Sequence, residues 1–220
     1  MILSKYLNSP KRKNNMNRGD EERLSRKWIL ALRSLEEEYK IHVGSKVKVI
    51  SDFTCLKEKS DFKLAIGFSE VDIAIYRKNP FNKRDQKVLK FFKFLQDSKK
   101  DEEFINIPFI ILELKSGEIT SDAIRARNEV ARKIRNIFPF CAYFFIGDKT
   151  SKRRETLFRQ GKSFNNFFVY KDEISEKEIN KIITEFIKPY LENLKTLNLL
   201  PPLLHPGDEE ENSADDEWNA

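Results

Sequence analysis

Apolar and polar residues follow two different periods along this chain, and each period predicts one class of secondary structure. From about Asp20, apolar residues recur every three or four positions, as on one face of a helix. Asp20 is a residue type that caps helix N-termini, and Gly44 lies beyond the last apolar position. The pattern therefore predicts a helix from about residue 20, with a buried stripe made of Leu24, Trp28, Leu32, Leu35 and Tyr39.

Short alternating segments predict three strands after this helix. In the third segment, Asp72 lies on the face opposite to Val71, Ile73 and Ile75. The alternation indicates strands with one face in the core. The three segments are 46–50, 62–68 and 70–76.

The second half of the chain follows a predicted insertion at residues 78–107, which contains a short helix at about 88–95. An apolar run from Phe109 to Leu112 then continues into Glu113 and ends in a turn signal, a pattern typical of a buried strand. Capping residues and further apolar patterns predict the remaining elements. These are a helix from Thr120 to about 136, strands at 141–146 and 167–170, and a helix at 175–196 that Pro189 kinks, with the stripe Ile179, Ile182, Ile183, Phe186, Tyr190 and Leu194.

The order of these elements predicts an α/β fold with a mixed β-sheet flanked by helices. The core order is αβββαβ, and a C-terminal helical extension follows it. Residues 20–200 are predicted to form a single domain. Residues 1–19 are predicted to be a basic flexible arm, and residues 201–220 a Pro-rich and then acidic disordered tail.

The composition argues against several classes of protein. No apolar run reaches the ~18 residues of a membrane span, so no membrane segment is expected. The two cysteines, Cys55 and Cys141, are far apart, which argues against a disulfide framework or a zinc site and favours a reducing, cytoplasmic location. Only two histidines occur, so His-dependent hydrolases are also disfavoured. The chemistry is therefore expected to use carboxylates and lysine.

The net charge of +6 is unevenly distributed along the sequence. The stretch from Gly207 to Ala220 contains seven acidic residues and no Lys or Arg. The rest of the chain therefore has 41 basic residues against 28 acidic ones, a net charge of +13. A body with this charge favours a polyanionic partner, and the alternative is an ordinary lysine-rich surface.

The strand that ends in Glu113 and Lys115 carries the candidate chemistry. Glu113 and Lys115 share one face of the strand and Leu114 lies on the other, and an acid and an ammonium group are costly to bury there without a function. If the strands of Asp72 and Glu113 pair, their carboxylates and the carbonyl of Leu114 form an oxygen site suited to Mg²⁺ or Mn²⁺. Such an ion would activate water for phosphodiester cleavage, with Lys115 orienting the water or stabilising the transition state.

These segments carry a resemblance to a known family. Ser69-Glu70-Val71-Asp72 followed by Ile111-Leu112-Glu113-Leu114-Lys115, in this order of elements, resembles the PD-(D/E)xK phosphodiesterase superfamily, which has the restriction-endonuclease-like fold. The resemblance covers roughly residues 20–148. It implies that Asp72 and Glu113 are metal ligands and that Lys115 is the catalytic lysine. It also implies an additional acid from the first helix, for which Glu37 is the choice among Glu36, Glu37 and Glu38.

Two departures from the family pattern indicate which branch of the family the chain resembles. Val71 stands where the family pattern has proline, which makes the first half of the motif less diagnostic. The helix after Lys115 lacks the Gln-x-x-x-Tyr of the RecB-like exonuclease branch. The chain is therefore most similar to a small type II restriction enzyme or another stand-alone endonuclease.

Arg127 is unusual because a helical wheel places it in the middle of the apolar face of the helix after Lys115. A buried arginine requires a carboxylate or a phosphate. Arg127 is therefore predicted to point at the site, where it pairs with Glu113 or Asp72 or binds a substrate phosphate. The alternative is that its side chain extends along the helix to solvent. Further candidates for phosphate contacts are Arg125, Arg132, Arg135, Lys152, Arg153 and Arg154.

Together these features predict a Mg²⁺-dependent endodeoxyribonuclease, a hydrolase that cuts double-stranded DNA. The resemblance to type II restriction enzymes implies that it acts in a restriction–modification system and as a homodimer. A DNA-repair nuclease or another defence nuclease of the same fold is an alternative. A catalytically silent nucleic-acid-binding domain and a protein-interaction module that uses the acidic tail are alternatives from other classes. RNA as the substrate also stays open at this point.

Overall fold

The structure, a computed structural model, describes residues 13–58, 61–80, 92–94, 104–150 and 159–200. The first twelve residues of the predicted arm, most of the predicted insertion and the predicted tail lie outside these ranges. The candidate phosphate contacts Lys152, Arg153 and Arg154 also lie outside them. No helix in the described ranges has both the length and the apolar character needed to cross a bilayer.

The described residues form helices on both sides of a mixed sheet. The helices are α1 (Lys13–Leu32), α2 (Ser34–Tyr39), α3 (Ser121–Ile137), α4 (Glu176–Ile182) and α5 (Lys188–Thr196), with a π-helical segment, Ile183–Ile187, between the last two. The strands are β1 (His42–Glu58), β2 (Asp61–Pro80), β3 (Phe92–Phe94), β4 (Phe104–Ser116), β5 (Ala142–Asp148) and β6 (Asn166–Val169).

The sheet has the strand order β1-β2-β4-β5-β6, and β3 pairs with β2 beside this path. The pairs β1/β2 and β2/β4 are antiparallel, whereas β2/β3, β4/β5 and β5/β6 are parallel. The parallel step from β4 to β5 is made through α3, as a parallel connection requires a crossover. This architecture confirms the predicted α/β class, the mixed sheet and the C-terminal helical extension.

Hydrophobic clusters cover the two faces of the sheet, and β4 contributes to both. Ile110, Leu112 and Leu114 belong to the cluster that contains buried residues of α1, α2 and the C-terminal helices. Ile111 belongs to the cluster that contains the buried residues of α3. Because strand residues alternate between faces, Glu113 and Lys115 lie on the α3 side of the sheet.

The strands are longer than the alternation predicts. The segments 62–68 and 70–76 are parts of the single strand β2, which pairs with β1 from His42↔Tyr76 to Glu58↔Asp61. The register shift between Ile50 and Asp52 lies in the partner strand β1, just beyond its predicted segment 46–50, so β1 also continues past the alternation that predicted it. Residues 92–94, predicted to be helical, form β3 instead, because they pair in parallel with residues 64–66 of β2.

The first helix begins earlier and the last helix is less regular than predicted. Helix α1 starts at Lys13. Residues 13–19 extend a helix whose later turns are packed, and the extension of an existing helix requires no new nucleation. The last helix contains the π-helical segment Ile183–Ile187, where Lys188 N–H donates to the carbonyl of Ile183 five residues earlier. After this wide turn the buried positions are Ile187 and Leu191 instead of the predicted Phe186 and Tyr190.

Candidate active site

The candidate site lies where β2 and β4 separate. Their pairing includes Ile73↔Leu112 but does not continue to Asp72 and Glu113. From there β2 continues to pair with β1, and with β3 at residues 64–66, while β4 continues with β5 up to Ser116↔Asp148. Asp72 Oδ2 accepts a hydrogen bond of 2.9 Å from the backbone N–H of Leu114. The side chain of Asp72 thus takes the place of a strand partner and is held at the fork.

A cleft opens at this fork between the sheet and helices α1 and α3. Its volume is about 130 Å³, and both charged and apolar residues line it. The lining residues are Glu21, Asp72, Glu113, Leu114, Lys115, Ile119, Ala123, Arg127 and Phe145. The cleft therefore brings together the predicted residues Asp72, Glu113, Lys115 and Arg127.

Glu113 is the most buried charged residue of the cleft, with 1% of its surface exposed. The hydroxyl of Tyr143, on the adjacent strand β5, donates to Glu113 Oε2 at 2.9 Å. Arg127 Nε lies 2.7 Å from Glu113 Oε1, on the opposite side of the carboxyl group. This contact is an ion pair without hydrogen-bond alignment, because no described group directs a donor at Oε1. Glu113 thus has one oxygen fixed and one that lacks a hydrogen-bond donor.

The pKa of Glu113 is raised to about 8, mainly by burial and next by the nearby negative charge of Asp72. Arg127 and the hydrogen bond from Tyr143 act in the opposite direction but do not offset these effects. Asp72 is close enough to hydrogen-bond with the Glu113 carboxyl group. The positive charge near Glu113 is therefore too small to offset both its burial and the repulsion of its ionised form by Asp72.

The residues of the cleft fit a small divalent cation. The carboxylates of Asp72 and Glu113 and the carbonyl of Leu114 are hard oxygen donors, which Mg²⁺ and Mn²⁺ prefer. The buried Oε1 atom of Glu113 without an aligned donor is the observation that supports this fit. Among the described residues, no three His, Cys, Asp or Glu side chains form a complete metal cluster. A bound ion would therefore keep several waters, as Mg²⁺ commonly does.

Lys115 follows Glu113 on the same face of β4 and contacts the first helix. Its ammonium group forms an ion pair with Glu21 of α1, and the two side chains are 31% and 33% exposed. Neighbouring ion pairs dock this part of α1 onto the body of the protein. They join Asp20 to Lys149 at 3.4 Å, Arg23 to Glu173 at 2.6 Å, and Lys27 to Glu173.

Glu21 is the acid of the first helix that lines the cleft, and sequence reasoning missed it. Glu37, the predicted choice, is exposed on α2 and does not line the cleft. Its neighbour Glu36 accepts a hydrogen bond from Val43 N–H at 2.9 Å, and Glu38 pairs with Lys188 at 2.8 Å. A signal existed in the sequence, because Glu21 lies three positions before Leu24 and thus on the buried stripe of the helix.

The structure brings only one of the predicted basic residues of α3 to the cleft. Arg127 pairs with Glu113, which is one of the predicted arrangements, whereas a role in binding phosphate stays a prediction. Arg125 is exposed, 4.0 Å from Asp122. Arg132 binds Glu129 through two hydrogen bonds, and Arg135 donates to the carbonyl of Ser163 at 2.9 Å. These last two arginines therefore have structural partners.

Comparisons with known proteins give distant similarity to solved structures. No family model matches this chain, and no curated protein matches it. A solved structure described as the native BbvCI A2B2 tetramer at low resolution matches with a TM-score of 0.47 and 13% sequence identity. The match covers 67% of this chain and 58% of that chain, so this chain spans less than two thirds of its length. A similarity of this size does not bear on chemistry, which follows here from the residues of the cleft.

Proposed function

We propose that this chain is a metal-dependent endonuclease that hydrolyses phosphodiester bonds of double-stranded DNA, of the kind found in restriction–modification systems. The observation that carries the proposal is the convergence of Asp72, Glu113 and Lys115 in one cleft, with a buried carboxylate oxygen of Glu113 that lacks a hydrogen-bond donor. A domain without catalysis has no use for this combination, which is costly to bury. The resemblance of the two sequence segments to PD-(D/E)xK phosphodiesterases supports the same proposal.

Each residue of the cleft has a distinct part in the proposed reaction. Asp72 and Glu113 would hold the ion, and the Tyr143 hydroxyl would fix the orientation of the Glu113 carboxylate. A bound Mg²⁺ lowers the pKa of coordinated water and neutralises negative charge that develops on the phosphate. Lys115 would either orient the attacking water or stabilise the charge on the phosphate oxygens. Glu21 would hold the Lys115 ammonium group in place at the cleft through their ion pair.

The proposed reaction is hydrolysis without a covalent enzyme intermediate. A water oxygen forms a bond to phosphorus as the bond from phosphorus to the leaving deoxyribose oxygen breaks. The water gives up a proton and the leaving oxygen gains one, so the products are a phosphate monoester and a hydroxyl group. The ion and the cleft residues return unchanged.

Plasmid cleavage by purified wild type and by Lys115→Ala tests this proposal. We expect discrete DNA fragments with Mg²⁺, none with EDTA, and a loss of at least a hundredfold in rate for Lys115→Ala. Lys177→Ala, which removes the same charge from an exposed position on α4, serves as the matched control and should cleave like wild type. Fragments of all sizes would keep a nuclease but reject site-specific cleavage.

Absence of cleavage by the wild type, with DNA binding retained, would favour the main alternative, a silent nucleic-acid-binding domain. The same samples should then bind DNA with an affinity that falls steeply with salt and is independent of Mg²⁺. Parallel assays with a duplex RNA of the same length would decide the choice between DNA and RNA.

We further propose that the enzyme acts as a homodimer, because two sites are needed to cut both strands of a duplex in one binding event. Sedimentation velocity with and without a DNA duplex tests this. The expected result is a protein mass of twice 26.0 kDa, either for the free protein or within the complex after the mass of the duplex is subtracted. A monomer that nevertheless cuts both strands would reject the homodimer.

A further inference from the structure

Arg127 occupies the position at Glu113 that a metal ion would need. Tyr143 already holds Oε2 of Glu113, and Leu114 N–H already holds Oδ2 of Asp72. Glu113 Oε1 remains, and Arg127 Nε lies 2.7 Å from it without hydrogen-bond alignment. An ion at roughly 2.1 Å from a carboxylate oxygen cannot share that oxygen's open side with a guanidinium group.

The two groups of this ion pair differ in their freedom to move. The Glu113 side chain is 2% exposed and is fixed by Tyr143, whereas the Arg127 side chain is 44% exposed. Arg127 can therefore leave its place by rotating toward solvent, and Glu113 cannot. Among the described residues, Arg127 is also the cation in contact with Glu113, so some positive charge must replace it when it leaves.

We propose that Arg127 is an exchangeable counter-ion of Glu113, which a divalent cation displaces from Oε1 and releases toward the open side of the cleft. The released guanidinium group is then available to a substrate phosphate, for which its planar set of donors is suited. The inference rests on the proposed metal-dependent function, since it requires the cation to bind at Glu113. It adds a specific exchange to that function, in which metal binding prepares a phosphate contact.

Calorimetric titration of the DNA-free protein with Mg²⁺ tests the exchange. At pH 9, above the raised pKa of Glu113, proton competition is small. We expect Arg127→Gln to bind Mg²⁺ at least about tenfold more tightly than wild type, because the ion no longer competes with the arginine. Arg125→Gln is the matched control, because it removes the same charge from the same helix at a residue paired only with Asp122 among the contacts described. It should change the affinity less than about threefold.

A second measurement uses the wild-type protein and does not depend on the folding of a variant. Phenylglyoxal modifies accessible arginines, and peptide mass spectrometry quantifies the adduct at each one. We expect Mg²⁺ to increase the modification of Arg127 several-fold and to leave that of Arg125 unchanged. Unchanged or reduced modification of Arg127 in a sample that binds Mg²⁺ would overturn the exchange.

The outcomes separate this inference from the proposed function. If wild type binds Mg²⁺ and folded Arg127→Gln binds it equally or more weakly, Arg127 is a structural partner of Glu113 and only the exchange fails. If neither wild type nor the variants bind Mg²⁺, the metal-dependent function fails and the exchange fails with it. Thermal unfolding of each variant, followed by circular dichroism, establishes that the compared samples are folded.

Discussion

At the scale of single residues, Glu113 determines how the cleft responds to pH. Its carboxyl group is buried beside that of Asp72, so its pKa is raised from 4.5 to about 8. The folded protein therefore holds a proton on Glu113 between these two pH values, whereas the unfolded chain has lost it. By linkage, the unfolding free energy falls as pH rises through this window and is level above it.

We expect Glu113→Gln to remove most of this pH dependence. Glutamine keeps the size of the side chain and an acceptor for Tyr143, but it has no charge to bury. At pH 9 in EDTA, the variant should be more stable than wild type by about 2–4 kcal/mol, and at pH 4.5 the two should be nearly equal. Urea unfolding at both pH values measures the difference. Glu37→Gln, at an exposed position, is the control, and parallel behaviour of both variants would contradict the prediction.

Glu21 allows a second prediction at this scale. Glu21→Gln removes the carboxylate that pairs with Lys115, so we expect the cleavage rate at saturating DNA to fall at least about tenfold. The unfolding free energy should change by less than about 1 kcal/mol, because both side chains are about one-third exposed. Glu22→Gln changes the adjacent, exposed residue and should cleave like wild type. Equal rates for the two variants would show that Glu21 has no part in cleavage.

Sequence patterns predicted most of the charged residues of the cleft but missed Glu21, and the difference has a physical reason. Asp72, Glu113 and Lys115 are fixed by strand alternation and pairing, so a local pattern is enough to place them together. Arg127 was predicted by a helical wheel, since a charge on an apolar face is a local signal as well. The position of Glu21 on the buried stripe of its helix is a local signal too, but its place at the cleft depends on how the whole helix docks, through contacts with distant residues such as Glu173.

At the scale of elements, the last helix shows how one residue type shapes a local structure. Pro189 lacks the N–H that an α-helix interior uses, and its ring would contact the carbonyl four residues earlier. The π-helical segment places it instead in the first turn of α5, where the missing N–H costs little. A π-helical turn contains one more residue than an α-helical turn. This extra residue shifts the apolar positions that follow it, so that Ile187 and Leu191 face the core.

We therefore expect deletion of the exposed residue Thr184 to depend on Pro189. In the wild-type background the deletion forces a continuous α-helix through Pro189 and should cost about 3 kcal/mol of unfolding free energy. In a Pro189→Ala background the same deletion should cost less than about 1 kcal/mol, because the apolar stripe is regular again. Urea unfolding of the four proteins forms a double-mutant cycle, and an equal cost in both backgrounds would disprove the coupling.

Elements that the sequence predicted well are those with strong local patterns. Helix α3 begins one residue after its predicted cap Thr120, whose hydroxyl accepts from Ala123 N–H at 3.2 Å. Strands β5 and β6 also lie within two residues of their predicted bounds. The full length of β1 and β2 was not predictable, because long strands are stabilised by pairing between distant residues. The same holds for β3, which is a strand through its pairing with residues 64–66.

At the scale of the whole molecule, the uneven distribution of charge is the feature that most affects the binding of a polyanionic partner. The chain up to residue 200 has a net charge of +13, and the last twenty residues contain seven acids and no Lys or Arg. Charges of this kind act over about 10 Å at 0.1 M salt, so they influence encounter with DNA more than contact with particular bases.

We expect a chain ending at residue 200 to bind duplex DNA more tightly than the full chain, by about three- to tenfold at 50 mM salt. The difference should vanish near 0.5 M salt, because screening removes long-range repulsion. Fluorescence anisotropy in EDTA measures binding without cleavage. A full-length variant with the seven acids changed to amides separates charge from chain length, and it should behave like the truncated chain. Weaker binding by either variant would reject electrostatic repulsion by the tail.

The fork between β2 and β4 has a consequence for the evolution of this protein. Asp72 and Glu113 lie just beyond the last pair of the two strands, and an amide oxygen at either position can accept the hydrogen bond that the carboxyl group accepts from Leu114 N–H or from the Tyr143 hydroxyl. A descendant with amides at both positions would keep the backbone of this protein and lose the two carboxylates that we propose as metal ligands. The fold and the reaction can therefore be separated by two substitutions. Activity in any protein of this shape has to be inferred from the residues at the fork and not from the path of its chain.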